Sequence, residues 1–209
     1  MRPTWVEVDT GSIANNIERV RAAIPDKTQI MAVVKADGYG HGAVPVAIAA
    51  LNSGAAFLGV ALVEEGIALR RAGIVAPILF MESLFPWQAS DLVRYGLTAT
   101  VASYESADVL SESAALLGRK AKVHIKVDTG MGRLGLPPDA IPGLVRHVSG
   151  LPRLEIEGIF THLACAESDP SMTRRQLELF HDVVDSLAAQ GHEIPIKHVA
   201  NSAAALCVP

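Results

Sequence analysis

Two absences narrow the chemistry of this chain before any motif is read. It has only two cysteines, Cys165 and Cys207, far apart and in no Cys-x-x-Cys pair, so neither a disulfide framework nor a thiolate zinc site is indicated and a reducing cytoplasm fits. It also has no block of like charge. Eighteen basic against twenty-two acidic residues leave a net charge of −4, which argues against nucleic acid or an anionic membrane as the main partner. The stretch from Met1 to Asp9 has no apolar segment of signal-peptide length, and no apolar run approaches the ~20 residues that span a bilayer. The expectation is a soluble, cytoplasmic protein. Histidines 41, 147, 181, 192 and 198 form no HExxH or HxH pair, so no metal site is expected, and His147, His181 and His192 are read as exposed. What the chain does have is apolar substance: 50% of its 209 residues are hydrophobic, enough for one well-buried core.

Short apolar runs alternate with helical patterns. Seven candidate strands are residues 29–34, 56–62, 77–81, 97–102, 121–127, 154–163 and 194–200. Between them lie helical spacings such as Ile13, Ile17, Val20 and Ile24, or Leu177, Phe180, Val184 and Leu187. Gly73, Gly96, Gly118 and Gly191 follow such patterns as helix stops, and Thr173 with Gln176 reads as a capping box. Repeated strand–helix units imply a parallel sheet covered by helices, either doubly wound or closed as a (β/α)8 barrel. No GxGxxG follows the first strand. Polar residues end nearly every strand instead: Lys35, Glu64 and Glu65, Glu82, Ser103, Asp128, His162, Asn201 and Ser202. A site spread over so many strand ends fits the α/β class and a TIM-type (β/α)8 barrel, with about seven of eight strands present. An early segment, Thr4–Asp9, reads as a half-exposed strand ahead of the barrel. The abrupt finish at Pro209 suggests that the sequence stops before the fold does.

Three motifs carry chemistry. Lys35 ends an apolar run and opens the turn Ala36-Asp37-Gly38-Tyr39-Gly40-His41-Gly42. An amine at a strand end, partly buried so that its ammonium is costly to desolvate, suits attack on an aldehyde. The glycines permit positive φ and close backbone approach to a ligand, and Tyr39 offers a hydroxyl. The fifth strand places Lys126 and Asp128 on one face and runs into Thr129-Gly130-Met131-Gly132-Arg133, where a guanidinium could hold a carboxylate or phenolate. A structural Lys–Asp pair with a surface Arg is the plain alternative. Thr161-His162 and Asn201-Ser202 end the sixth and seventh strands. They suit a ring near a planar cofactor and a hydroxyl near a phosphate at a helix start, although a structural His and a helix N-cap would read the same way.

With these residues in view the chain resembles the alanine racemases, pyridoxal 5′-phosphate enzymes with a barrel domain and a carboxy-terminal β domain. The resemblance rests on Ala32–Gly42, Lys126–Gly135, Gly158–His162 and His198–Ala203, and covers essentially the whole chain. It implies that Lys35 holds the cofactor covalently and serves as the base at the D-alanine α-carbon. Tyr39 and Ser202 would hold the phosphate, with Asn201 also at the cofactor, His162 near the pyridine ring, and Arg133 on the phenolic oxygen and the substrate carboxylate. Lys126 matches a position that can be carbamylated. The resemblance further implies a homodimer that supplies D-alanine for peptidoglycan. The second base, a tyrosine of the β domain, and the pyridine-facing arginine have no position in these 209 residues. Residues 1–10 would join that β domain and 11–209 form the barrel, so the chain alone is expected to have little or no activity. Alternatives are a non-racemising pyridoxal phosphate-binding protein of cofactor homeostasis, another amino-acid racemase, and, more distantly, a metal-dependent barrel hydrolase.

Overall fold

Helix α1 (Thr10–Ala23) opens the regular structure because Asp9 can cap it, its carboxylate accepting from Gly11 N at 2.8 Å and Ser12 Oγ at 2.7 Å. The structure, a computed structural model, describes residues 3–207 and divides into two compact units, residues 1–78 and 79–209.

In the first unit β1 (Met31–Val33) pairs in parallel with β2 (Phe57–Val60), Met31 opposite Phe57 and Val33 opposite Gly59. Between them come α2 (Lys35–Tyr39), a single turn, and α3 (Ala43–Asn52); α4 (Val63–Arg71) follows β2. Ile17, Val20 and Ile24 pack on buried Ile30, Ala50 and Ala55, so the apolar stripe expected of the first helix does face a core.

The second unit holds β3 (Ile78–Phe80), whose first residue closes the first unit, then α5 (Ala89–Arg94), β4 (Thr98–Val101), α6 (Tyr104–Leu116), β5 (Ala121–Lys126), α7 (Ile141–Gly150), β6 (Leu154–Phe160), α8 (Pro170–Ala189), β7 (Ile196–His198) and α9 (Ser202–Cys207). Strands β3 to β7 lie side by side in chain order, and every pair is parallel. A doubly wound sheet reverses its order at a switch point; these strands do not, and each is followed by a helix. The repeat is that of an incomplete (β/α)8 barrel, with seven strands among the described residues. The strands are nearly continuous in burial, as β3 and β4 show throughout, because helices cover parallel sheets.

Each candidate strand contains an observed one, shorter by one to several residues at its ends. The four glycine stops hold: Gly73, Gly96, Gly118 and Gly191 all have positive φ, between 59° and 86°. Two expectations need correction. The long helix starts at Pro170 rather than after Thr173, because Asp169 accepts from Ser171 N and Met172 N, both at 3.0 Å, and is the better cap. His147 is not simply exposed, since its Nε2 lies 2.6 Å from Asp108 Oδ1 and its ring meets Tyr104 edge-on; His181 is exposed and His192 half-buried. Thr4–Asp9 pairs with no strand among the described residues, and Trp5 and Val6 are exposed. Pro209 lies outside the described residues. Among those described, no helix is long and apolar enough to cross a membrane.

Candidate active site

In the first unit Lys35 sits half-buried directly after β1, where the backbone takes an unusual course. Ala36, Asp37, Gly38 and Tyr39 all have φ between 51° and 62°, followed by Gly40 at 83° and Gly42 at 86°. The segment is a left-handed turn. Each non-glycine residue in that region costs roughly 1–2 kcal/mol, so Ala36, Asp37 and Tyr39 together need compensation of a few kcal/mol. Two carboxylates provide it. Asp37 Oδ1 accepts from Ala43 N at 2.8 Å, which caps α3, and Glu65 Oε1 accepts from Ala36 N at 2.6 Å. Hydrogen bonds to an ionised group contribute about 1.5–3 kcal/mol each, enough to offset that cost. Gly38 N donates to Val34 O at 2.9 Å and Gly42 N to Asp37 O at 2.8 Å, which closes the loop. Gly38 is also closely packed, because a Cβ there would lie 3.1 Å from Val46 Cγ2 and 3.3 Å from Ala43 Cα and would press on both. Tyr39 is 58% exposed, so its ring projects from the turn and its hydroxyl is available.

In the second unit the segment after β5 folds back on its own strand. Asp128 N donates to Leu136 O at 2.8 Å, and Asp128 Oδ1 accepts from Gly130 N at 2.9 Å and Gly132 N at 3.1 Å. Burial pushes the Asp128 carboxyl up, but these amides, that of Met131 and nearby Lys126 outweigh it and hold the pKa below the usual carboxylate range. A Cβ on Gly135 would lie 2.8 Å from Asp128 N, so only glycine permits the close return. The loop presents Arg133 exposed beside Leu84, Ser103 and Ser106, where a cavity of about 230 Å³ opens. Ser103 itself is occupied as the cap of α6, accepting from Ser106 N at 3.1 Å.

Lys126 is 4% exposed, its Nζ 4.3 Å from the centroid of the Phe160 ring. Burial, with the Arg133 charge adding to it and Asp128 and Glu82 opposing, lowers its pKa to about 8. Lys126 is thus buried against an aromatic face, while both Asp128 oxygens bind backbone amides.

His162 is half-buried just past β6. Its backbone is held from α8. Gln176, fully buried on α8, donates from Nε2 to His162 O at 3.1 Å and Thr129 Oγ1 at 3.2 Å, and accepts from Ala164 N at 2.9 Å. Thr129 Oγ1 in turn lies 2.8 Å from Thr161 Oγ1. Gln176 therefore ties the segments after β5 and β6 together and is not part of a helix cap. Gln176 stands four, seven and eleven residues before Phe180, Val183 and Leu187, so helical spacing puts it on the buried face of α8. Asn201 Oδ1 accepts from Ala204 N at 2.9 Å and its amide reaches Leu163 O at 3.4 Å, so its side chain caps α9. Ser202, exposed, is the first residue of that helix.

Lys35, Arg133, His162 and Ser202 each stand just beyond the carboxy-terminal end of a strand, β1, β5, β6 and β7 respectively, which is where barrel enzymes carry their chemistry. The family model described as alanine racemase, N-terminal domain, matches residues 8–209. The chain belongs to the alanine racemase family. It is 48% identical to an alanine racemase of Symbiobacterium thermophilum over 210 residues, covering 100% of this chain and 55% of that one. Among solved structures, an alanine racemase of Clostridium difficile 630 superposes with a TM-score of 0.97 at 36% identity, covering 100% of this chain and 55% of the other. An alanine racemase of Bacillus anthracis with bound L-Ala-P gives 0.91 at 39% identity, covering 99% and 54%. The chain spans about half the length of the curated relatives it matches.

Proposed function

We propose that the complete polypeptide interconverts L- and D-alanine with pyridoxal 5′-phosphate, as a cytoplasmic homodimer whose D-alanine product supplies peptidoglycan synthesis. The observation that carries this reading is Lys35, an amine set at a strand end and at the start of a braced left-handed turn. The donor set suits such a cofactor: an amine for its aldehyde, Tyr39 and Ser202 hydroxyls for its phosphate, the His162 imidazole for its ring and the Arg133 guanidinium for its phenolic oxygen. Asn201 supports Ser202 through the cap of α9. The alanine-like ligand of the Bacillus anthracis protein favours a small amino acid as substrate.

When bound, the cofactor supplies an electron sink for charge that develops at the substrate α-carbon. Lys35 Nζ takes the α-proton on one face of that carbon. Arg133 holds the substrate carboxylate with its planar fork and fixes which bond faces the lysine. Return of a proton to the opposite face needs a second acid, which we assign to a tyrosine of a carboxy-terminal β domain contributed by the partner of the dimer, and residues 1–10 join that domain. The 209-residue chain alone then has little or no racemase activity. Lys126, with its amine buried and its pKa near 8, is the position we propose for carbamylation: the free amine adds to CO2, forms the N–C bond and releases a proton to water.

Incubation with pyridoxal 5′-phosphate, borohydride reduction and peptide mapping test the central assignment. The label is expected on Lys35. A label elsewhere, or none on folded protein, overturns it.

A further inference from the structure

Glu65 stands out among the polar strand-end residues because its carboxylate serves two structures at once. Oε2 accepts from Ala61 N at 2.9 Å and Leu62 N at 3.0 Å, where β2 gives way to α4. Oε1 accepts from Ala36 N at 2.6 Å, across 29 residues of sequence. As the third residue of α4, Glu65 makes the reach-back half of a capping box, a local role that would use only Leu62 N. The bond to Ala36 serves nothing in α4. It falls on the residue immediately after Lys35, at the first of the left-handed positions, where the peptide plane that follows the lysine must be fixed. Asp37 fastens the other end of the same turn to Ala43 N, so the backbone that bears the lysine is held at both ends by ionised oxygens.

We propose that Glu65 is a positioning residue for Lys35: it locks the Lys35–Ala36 peptide and so sets the direction from which the amine meets an aldehyde. This rests on the assignment of Lys35 as the cofactor lysine. Asp is one methylene shorter than Glu and remains favourable in the first turn of a helix, so Glu65→Asp keeps the start of α4 and cannot span to Ala36 as well. Glu65→Gln keeps the length but has one accepting oxygen, and its amide would oppose an N–H donor on one side or the other.

The protein, without cofactor, is followed by amide hydrogen exchange at Ala36, and with pyridoxal 5′-phosphate by the rate and pH profile of borohydride-trapped label on Lys35. With Glu65→Asp, Ala36 protection is expected to fall about tenfold or more while Ala61 and Leu62 stay protected. The labelling rate should fall about tenfold with a displaced pH profile, and the melting temperature should drop by only a few degrees, as the loss of one charge-assisted bond requires. Glu65→Gln behaves in the same way where its one oxygen stays on Ala61 and Leu62, which their retained protection reports, and serves if the Asp variant does not fold. Unchanged Ala36 exchange, or altered exchange with labelling rate and profile unchanged, overturns the proposal and leaves Glu65 a helix cap. Absence of label on Lys35 in the parent protein would instead refute the cofactor assignment, and the exchange arm would still report whether Glu65 anchors the turn.

Discussion

His124 on β5 and His198 on β7 share a hydrogen bond, Nδ1 to Nε2 at 2.9 Å, inside the second unit. One ring must donate and the other accept, so at least one nitrogen of the contact stays bare. Phe160 stacks on His198 with ring centroids 4.5 Å apart and 8° between planes, and Lys126 Nζ lies 4.3 Å from the centroid of the same Phe160 ring. Burial lowers the His124 pKa to about 4, with the Glu157 carboxylate opposing and the Lys122 charge assisting. Burial, then the His124 and Lys126 charges, lowers that of His198 to about 3.

Acid sensitivity follows from that pair. In the unfolded chain both imidazoles take up protons near pH 6.5, and in the fold neither does until about 4 or below. Unfolding therefore binds protons throughout that window, and stability present above pH 6.5 is lost as pH falls toward 4. Urea midpoints at pH 7.5, 6.0 and 5.0 should decline steadily, and the imidazole proton resonances of both residues should stay at their neutral positions down to pH 5. A conventional titration of either ring near 6.5 in the folded protein would contradict the assignment.

Gly158 makes room for this arrangement. A Cβ at that position would lie 2.7 Å from three atoms of the His124 ring, closer than packed atoms allow. Gly158→Ala should destabilise the second unit by about 1–3 kcal/mol, the range for forced overpacking, and displace the imidazole resonances of His124. Thermal melting and the same spectra would read both effects.

The two outcomes also mark where sequence reasoning reached and where it stopped. Strand order, the glycine stops and the positions of Lys35, Arg133, His162 and Ser202 were legible because they follow from local periodicity and from residues at strand ends. The Gly158–His124 contact was not, since it joins β5 and β6 through register, and register is not written in either strand alone. The burial of Gln176 follows from its spacing to Phe180, Val183 and Leu187, but its partners Thr129, His162 and Ala164 lie on other segments, so only packing reveals what it binds. Thr4–Asp9 stands apart from these: alternation in a short segment specifies a strand only when a partner strand accepts it, and none of the described strands does.

Lys126 is expected to cost stability as a free amine. Its pKa of about 8 in the fold against 10.5 unfolded means that, below pH 8, a buried ammonium weakens the fold by about 3 kcal/mol, offset in part by the Phe160 ring. Between those pH values unfolding binds a proton, so the penalty fades as pH rises. In CO2-depleted buffer Lys126→Met should raise the unfolding free energy at pH 7 by about 1–3 kcal/mol, with the gain shrinking toward pH 10. A gain that does not depend on pH would show that the charge is not the cause.

Gln176 offers the most direct test of how the segment carrying His162 is held. Gln176→Leu keeps the side-chain volume on α8 and removes three hydrogen bonds, which leaves Ala164 N and His162 O without their side-chain partner in a part-buried setting. An unpaired group costs roughly 1–3 kcal/mol when fully buried and less where water reaches it, so a loss of about 1–3 kcal/mol in total is expected by urea unfolding. Because α8 also packs through Phe180, Val183 and Leu187, the helix itself should stay folded. The change should instead concentrate at 161–164, where amide exchange accelerates while residues 177–187 remain protected. Uniformly faster exchange along α8 would mean that Gln176 supports the helix and not the segment beyond β6.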